Sequence, residues 1–419
     1  MKKKFTENFA ILLLSNLVIK PFWIFGIDRK VQLMVGAEEY GNYFSAMNLT
    51  FILSIFLDMG INSFTTRAVS RSHSRAASFI TNFIPIKIAL SLVYFILTIG
   101  IAFLLDLKLY IFLLVLLTAA NQIILSFLLH IRAYISGLHL FKTDAFLSIL
   151  DKLLAIIFIL FFWFLTTETD KFYHITMFAL LQGVALLVAF AIAYSFYRKN
   201  AQGQSEKWKF KYTRAVLLKS LPFALLVFQM GIYGRIDGVL LNYLLPQNGE
   251  ETGIYAAGFR LLDAATQFGF LLSTILLPMF GKSLKLKQDI RGLVMLGSII
   301  AIGASTFLAI FTSAFGHQIV DILYHTHDPR YSVVLSLLMF TFIPISSIYI
   351  FGTLLTANGD LKKLNIIAFV GIVLNLSLNF IFIPKYAAKG AAISALVTQS
   401  IVAIMHILVA IPLLISTKK

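Results

Sequence analysis

The chain has 419 residues, 59% of them hydrophobic and only 13% charged, where an ordinary soluble domain carries about one-quarter charged residues. It contains no cysteine, which excludes disulfides, thiolate catalysis and cysteine-ligated metals. The net charge of +16 would suit a nucleic-acid binder, but the basic residues are spread over short loops and form no single stripe, so no nucleic-acid partner is expected.

The apolar residues fall into continuous runs of roughly 20, the length a helix needs to cross about 30 Å of hydrocarbon. A membrane barrel would instead show short segments of alternating polarity. In chain order the hydropathy predicts spans at 9–34, 41–66, 79–105, 109–131, 145–166 and 174–197, then at 215–245, 253–281, 291–315, 331–357, 364–384 and 388–415. The basic head and apolar stretch at the start have the outline of a signal peptide, but Lys20 and Pro21 interrupt the run and no small-x-small site follows, so an uncleaved first span is expected. Connections are short, leaving no room for a fused soluble domain. The expected organisation is an N-terminal six-helix lobe at 1–200, a cytoplasmic linker at 201–214 and a C-terminal six-helix lobe at 215–419.

Orientation follows from the lysines and arginines, which concentrate in short cytoplasmic loops. With the N-terminus inside, twenty-two of them fall in cytoplasmic segments, from Lys2 to Lys419, and five in outer ones: Lys108, Lys171, Arg330, Lys385 and Lys389. Both termini are therefore expected in the cytoplasm, and the basic loops to rest against anionic headgroups. A repeat supports the even count. The expected outer turn after the first span reads Glu39-Tyr40-Gly41-Asn42-Tyr43, and the turn opening the second half reads Glu251-Thr252-Gly253-Ile254-Tyr255. Both have the form Glu-x-Gly-x-Tyr, 212 positions apart, as a parallel duplication would leave them. Two such halves would sit side by side about an axis along the membrane normal with a cleft between them, the geometry of alternating-access transporters.

Eight basic residues remain inside spans, where a charge is costly without a partner or cavity. Lys30 and Lys219 lie near span ends and can snorkel, and Arg29 can pair with Asp28. Lys20, roughly 16 Å into the first span, is the deepest cation, and Asn16 shares its helix face. Lys87 and Asp58 lie at comparable depth on neighbouring spans, as a structural ion pair or a switchable one would. Arg260 and Asp263 are three apart and can neutralise each other, whereas Arg235 and Asp237 are two apart and cannot face the same way, so at least one needs another partner. The cation surplus predicts a cavity for an anion such as phosphate or pyrophosphate, lined by Lys20, Arg29, Lys87, Lys152, Arg235 and Arg260. Asn375 and Asn379, four apart, make a polar stripe for interhelical hydrogen bonds or, with Asn16, for sugar contacts. Asp321, His325, His327 and Asp328 look superficially like metal ligands, but no metal is expected from a loop without paired helical ligands. There is no Walker loop, Gly-x-Ser-x-Gly elbow or His-Glu-x-x-His pair.

With these residues in place, the chain resembles the polysaccharide exporters, or Wzx-type O-antigen and lipid-linked oligosaccharide flippases, over essentially its whole length. The resemblance is carried by Gly36-x-x-Glu39-Tyr40-Gly41-x-Tyr43, Asp58-x-Gly60, Tyr255-Ala256-Ala257-Gly258 and Gly359-Asp360. Its strongest part is Asn375-x-x-x-Asn379-x-x-x-Ile383-Pro384-x-Tyr386 followed by Gly390-Ala391-Ala392. Ala387 departs from the pattern, since these proteins usually place Gly there. The resemblance implies a MATE-like exporter fold and membership of the multidrug/oligosaccharidyl-lipid/polysaccharide exporter superfamily. It also implies that the protein flips an undecaprenyl-pyrophosphate-linked glycan across the bacterial inner membrane and is not an enzyme. It further implies a coupling ion, H+ or Na+, for which Asp58, Asp237 and Asp263 are candidates, no bound cofactor, and work alongside a polysaccharide polymerase and chain-length machinery. Two alternatives stay open: an ion-coupled multidrug exporter of the same superfamily, and a membrane glycan polymerase or ligase using the Asp321–Arg330 stretch.

Overall fold

The computed structural model describes residues 18–19, 21–71, 76–200, 210–245 and 249–416, and contains no strand among them. A π-helical stretch, Phe22–Asp28, runs into α1 (Arg29–Leu53), and a short 3-10 turn, Ser54–Leu57, leads to α2 (Ile61–Arg71). Then follow α3 (Ala76–Leu104), α4 (Leu109–Gly137), α5 (Phe141–Leu165), α6 (Lys171–Asn200), α7 (Phe210–Leu244) and α8 (Gly249–Lys285). The chain continues through α9 (Arg291–Ala314), α10 (Gly316–Tyr324), α11 (Pro329–Asn358) and α12 (Leu361–Ser416).

Nine helices among the described residues are long and apolar enough to cross a membrane, and the bent pair Phe22–Leu57 and Ile61–Ser70 makes a tenth. One of the nine, α12, breaks at Ala387 and supplies two of the predicted spans. The protein is thus an all-α polytopic membrane protein. Helices prevail because hydrocarbon offers backbone amides no water, so each segment must satisfy its own hydrogen bonds.

The chain divides into two units. The first comprises the residues up to Val35 and Ala46–Ala224, and the second Gly36–Ser45 with Leu225–Lys419. The first is packed around Val69, Leu128, Tyr134, Leu147 and Ala189, the second around Tyr233, Phe280, Ile350, Ile367 and Val402. The expected linker lies partly outside the described residues, but its end is helical: α7 starts at Phe210 and runs unbroken to Leu244.

The assignment of residues 36–45 to the second unit has a local cause. The Glu39–Tyr43 motif, expected as a turn, is helical; the chain turns just before it, at Gly36 (φ 85°, ψ 170°), a conformation that glycine adopts without strain. Its counterpart lies in the first turns of α8. The two copies pack on each other reciprocally. A Cβ at Gly41 would meet the Gly249 carbonyl oxygen, and one at Gly253 would meet the carbonyl oxygen of Ala37. Ala37 and Gly41 stand 212 positions before Gly249 and Gly253, so each copy offers the other the same surface, as a two-fold relation requires. Beside this crossing, Asn242 Nδ2 donates to Asn42 Oδ1 at 2.8 Å, with both side chains buried.

Two further breaks shape the fold. Span 2, expected as one helix, bends by 44° where Met59 (φ 44°) and Gly60 (φ 85°) leave the helical region. The Asp58 carboxylate caps the new helix, accepting from Gly60 N at 3.2 Å and Asn62 N at 3.1 Å. In α12, Ala387 takes φ 49° and ψ −129°, and Glu251 Oε2 accepts from the following amide, Ala388 N, at 3.0 Å. Glu251 is held in turn by Arg330 Nη1 at 2.6 Å. Arg330 also binds Glu250 and Asp328, and its hydrogen bonds hold the Asp328 carboxyl below the usual carboxylate range.

Two outcomes follow. Non-glycine residues at such a positive φ cost about 1–3 kcal/mol, more than the roughly 0.5–1 kcal/mol entropy penalty of glycine. Ala387→Gly should therefore raise the thermal midpoint of the purified protein, and a lower midpoint would count against strain at this break. Gly253→Ala forces a methyl against the Ala37 backbone and should destabilise by at least about 2 kcal/mol, read by denaturant unfolding in detergent.

Candidate functional site

In the second unit, residues 36–45 and the start of α8 bring four aromatic rings together. Phe44 packs 5.6 Å from Phe259 and 6.4 Å from Tyr255, while Tyr255 stacks on Phe259 at 5.8 Å, all measured between ring centroids. Tyr40 stands one turn before Phe44 on the same helix. Two arginines are held on this cluster. The Arg235 guanidinium lies 5.4 Å from the Phe259 centroid; that of Arg260 lies 5.7 Å from Tyr40 and 5.6 Å from Phe44, and its Nε donates to the Tyr40 hydroxyl at 2.8 Å. Aromatic faces attract a cation through the ring quadrupole, which adds to the hydrogen bonds that hold each guanidinium. Arg235 lies nine residues before the end of α7, about 14 Å along the helix, well inside the apolar span Ser220–Leu244.

The nearby carboxylates divide by environment. Asp263 meets Arg235 Nη2 across two helices, its oxygens at 3.1 and 3.2 Å, although it stands only three residues from Arg260 on its own helix. Asp237, 1% exposed, accepts from the Tyr255 hydroxyl at 2.9 Å, Asn375 Nδ2 at 3.0 Å and Asn379 Nδ2 at 2.7 Å. The two-residue spacing requires another partner for at least one of Arg235 and Asp237; Arg235 meets Asp263, and Asp237 meets this set of neutral donors. The Asn375–Asn379 stripe thus makes interhelical hydrogen bonds to Asp237. Asn379 Oδ1 is buried without a hydrogen-bond partner among the described residues.

The first unit holds the other expected cations in separate settings. Lys87 is fully buried, with Nζ 3.1 Å from the Leu57 carbonyl and 3.7 Å from Asp58 Oδ1, so the pair expected from depth is present and closes the end of a broken helix. Ser126 Oγ donates to the same carbonyl at 3.2 Å. Lys152 Nζ lies 4.6 Å from the Trp23 ring centroid and 3.9 Å from Asp151. Arg29 opens α1 next to the buried Asp28. Lys20 and Asn16 lie outside the described residues. Between α10 and α11, His327 Nδ1 is 3.6 Å from Asp321, both exposed, while Asp328 caps α11.

A sequence profile described as polysaccharide biosynthesis protein matches residues 5–284. The chain belongs to the polysaccharide biosynthesis protein family. Solved structures place the fold of this family member with the MATE transporters. An inward-facing multidrug-resistance MATE transporter of the MOP superfamily superposes with a TM-score of 0.74 at 14% identity, over 98% of each chain. A Vibrio cholerae MATE transporter, VcmN, gives 0.66 at 17% identity, over 99% of this chain and 97% of that one. A MOP-superfamily transporter from Pyrococcus furiosus, described as having a binding pocket of reversed polarity, gives 0.63 at 14%, over 98% and 94%. No functionally curated protein matches the chain.

Sequence reasoning missed the aromatic cluster. Tyr40 and Tyr255 belong to the motifs that revealed the duplication, and that placement at the start of paired helices was the available signal; Phe44 and Phe259 carried none.

The Asp237 cluster is testable as a unit. Asp237→Leu leaves a hydroxyl and two amides without an acceptor, at roughly 1–3 kcal/mol for each buried donor, and should lower the thermal midpoint sharply. The isosteric Asp237→Asn should retain most of the stability. Equal midpoints for the two variants would mean that the hydrogen bonds contribute nothing.

Proposed function

We propose that this protein flips a lipid-linked oligosaccharide from the cytoplasmic to the outer leaflet of the bacterial inner membrane, by alternating access and with both termini in the cytoplasm. The cargo is an undecaprenyl-pyrophosphate-linked repeat unit of O-antigen or another surface polysaccharide. The observation that supports this reading is the arginine pair, Arg235 and Arg260, set on one aromatic cluster within the helices of the second unit, with Arg235 also held to Asp263. Guanidinium geometry matches phosphate oxygens, which two neighbouring arginines can engage together. Family membership supplies the glycan context. The fold is one that serves small-molecule export elsewhere, and the reversed pocket polarity described for the Pyrococcus furiosus transporter accords with pocket charge differing between members. A drug-cation exporter would be expected to place carboxylates, not arginines, at its binding site.

Asp237 is the candidate for ion coupling. It is a buried carboxylate surrounded by neutral donors, and the unpartnered Asn379 Oδ1 beside it is a further ligand for a proton-bearing group or Na+. The protein would work in series with a polymerase and chain-length machinery, performing translocation and no bond chemistry.

Loss of one charge-assisted phosphate contact, worth about 1.5–3 kcal/mol, lowers transport at least about tenfold. Arg235→Gln and Arg260→Gln should each abolish surface-polysaccharide production in a flippase-deficient strain at unchanged protein level, with lipid-linked precursor accumulating on the inner leaflet. Full complementation by both variants would overturn the assignment, and gain of resistance to cationic dyes would indicate the multidrug alternative.

A further inference from the structure

Asp263 presents a problem that the pyrophosphate reading leaves open. A site that admits a lipid-linked headgroup meets phospholipids in large excess, whose phosphodiester groups would occupy Arg235 unless something stood in the way. Asp263 stands there. Its contact with Arg235 differs from those that Arg330 and Arg132 make with their carboxylates. Arg330 grips Glu250 and Glu251 at 2.6 Å, and Arg132 grips Asp144 at 2.8 Å. Both oxygens of Asp263 instead share the single nitrogen Nη2, at 3.1 and 3.2 Å. A low-dielectric setting would draw an optimised pair to about 2.7–2.9 Å with one oxygen per nitrogen. The pair is also accessible: the side chains of Arg235 and Asp263 are 19% and 27% exposed, against 1% for Asp237. Phe259 supports the guanidinium from its face and keeps it in place when the carboxylate leaves.

We infer that Asp263 is an internal competitor for Arg235 that sets headgroup specificity, yielding to a pyrophosphate and excluding the phosphate of bulk lipid. The inference rests on the flippase reading. The carboxylate and the phosphodiester of a phospholipid each bring a single negative charge, so a bulk lipid gains nothing by displacing Asp263 and must leave a carboxylate without its cation. A pyrophosphate diester brings two charges and oxygens enough to engage both arginines, Arg260 as well as Arg235, which Asp263 does not do from its side-on position. Specificity then comes from a built-in cost against the wrong ligand more than from added attraction to the right one. Asp263 acts through Arg235 as a positioning and selecting residue.

The test uses the purified full-length chain in nanodiscs, with a short-chain prenyl-pyrophosphate-linked monosaccharide as probe and tryptophan fluorescence or calorimetry as readout. Discs are made of phosphatidylethanolamine, whose phosphate is compensated by its own ammonium group, alone or with added phosphatidylglycerol, whose phosphate is not. Asp263→Asn should bind the probe more tightly than wild type in discs lacking phosphatidylglycerol, by roughly three- to tenfold, and should lose that gain when phosphatidylglycerol is added. Wild type and the carboxylate-retaining Asp263→Glu should respond little to the added lipid. Asp263→Ser replaces the Asn variant should the latter fail to fold. Unchanged or weaker binding by Asp263→Asn, alongside weakened binding by Arg235→Gln, overturns the inference and leaves the flippase reading standing. A gain that persists undiminished in phosphatidylglycerol overturns the selectivity. Absence of probe binding by every variant, wild type included, overturns the flippase reading and this inference with it.

Discussion

Hydrocarbon gives a polar group no solvent to fall back on, and the structure of this protein is largely a set of answers to that constraint. Most of the chain answers by being helical, each amide bonded within its own segment. The remaining groups are those that the helices cannot satisfy: the ends created where a helix breaks, and the ionisable side chains carried to mid-membrane depth. Several of them find a designated partner among the described residues. The carbonyl freed at Leu57 receives the Lys87 ammonium and the Ser126 hydroxyl, and the amides freed at Gly60 and Asn62 receive Asp58. The amide freed by the kink in α12 receives Glu251, which Arg330 anchors in turn.

Against that background, the charges of the second unit separate into two kinds. Asp237 is enclosed by three neutral donors, an arrangement in which gain or loss of a positive charge is felt at once by every member. Arg235 and Arg260 are supported by aromatic rings, which help hold a cation in position, and Arg235 meets Asp263 as well. Tyr255 links the two kinds, since its hydroxyl binds Asp237 while its ring stacks on Phe259 beneath Arg235. A change in the charge state of Asp237 therefore has a short physical path to the guanidinium, through one side chain that both sites share.

The duplicated motif explains how this cluster comes to be assembled from distant parts of the chain. Gly41 and Gly253 allow two helices to meet backbone to backbone, closer than any side chain would permit, and the approach is reciprocal. That contact carries Tyr40 and Phe44 to Arg260 and Phe259. The glycines of the Glu-x-Gly-x-Tyr motif serve the crossing, and the aromatic residues that follow them serve the site.

What the amino-acid sequence determined by itself is what depends on position along one dimension. Length and hydropathy of the apolar runs specify spanning helices, the Glu-x-Gly-x-Tyr spacing exposed the duplication, and comparable depth on adjacent spans was enough to pair Lys87 with Asp58. Tertiary structure alone decided the lateral choices. Asp263 meets Arg235 on another helix, Asp237 collects donors from α8 and α12, and Phe44, an ordinary apolar residue in the sequence, becomes a support for Arg260. Periodicity tells which face of a helix a residue occupies and hydropathy tells how deep it lies. Neither says which neighbouring helix that face will meet, because that depends on how closely two backbones approach, and here a pair of glycines sets the approach.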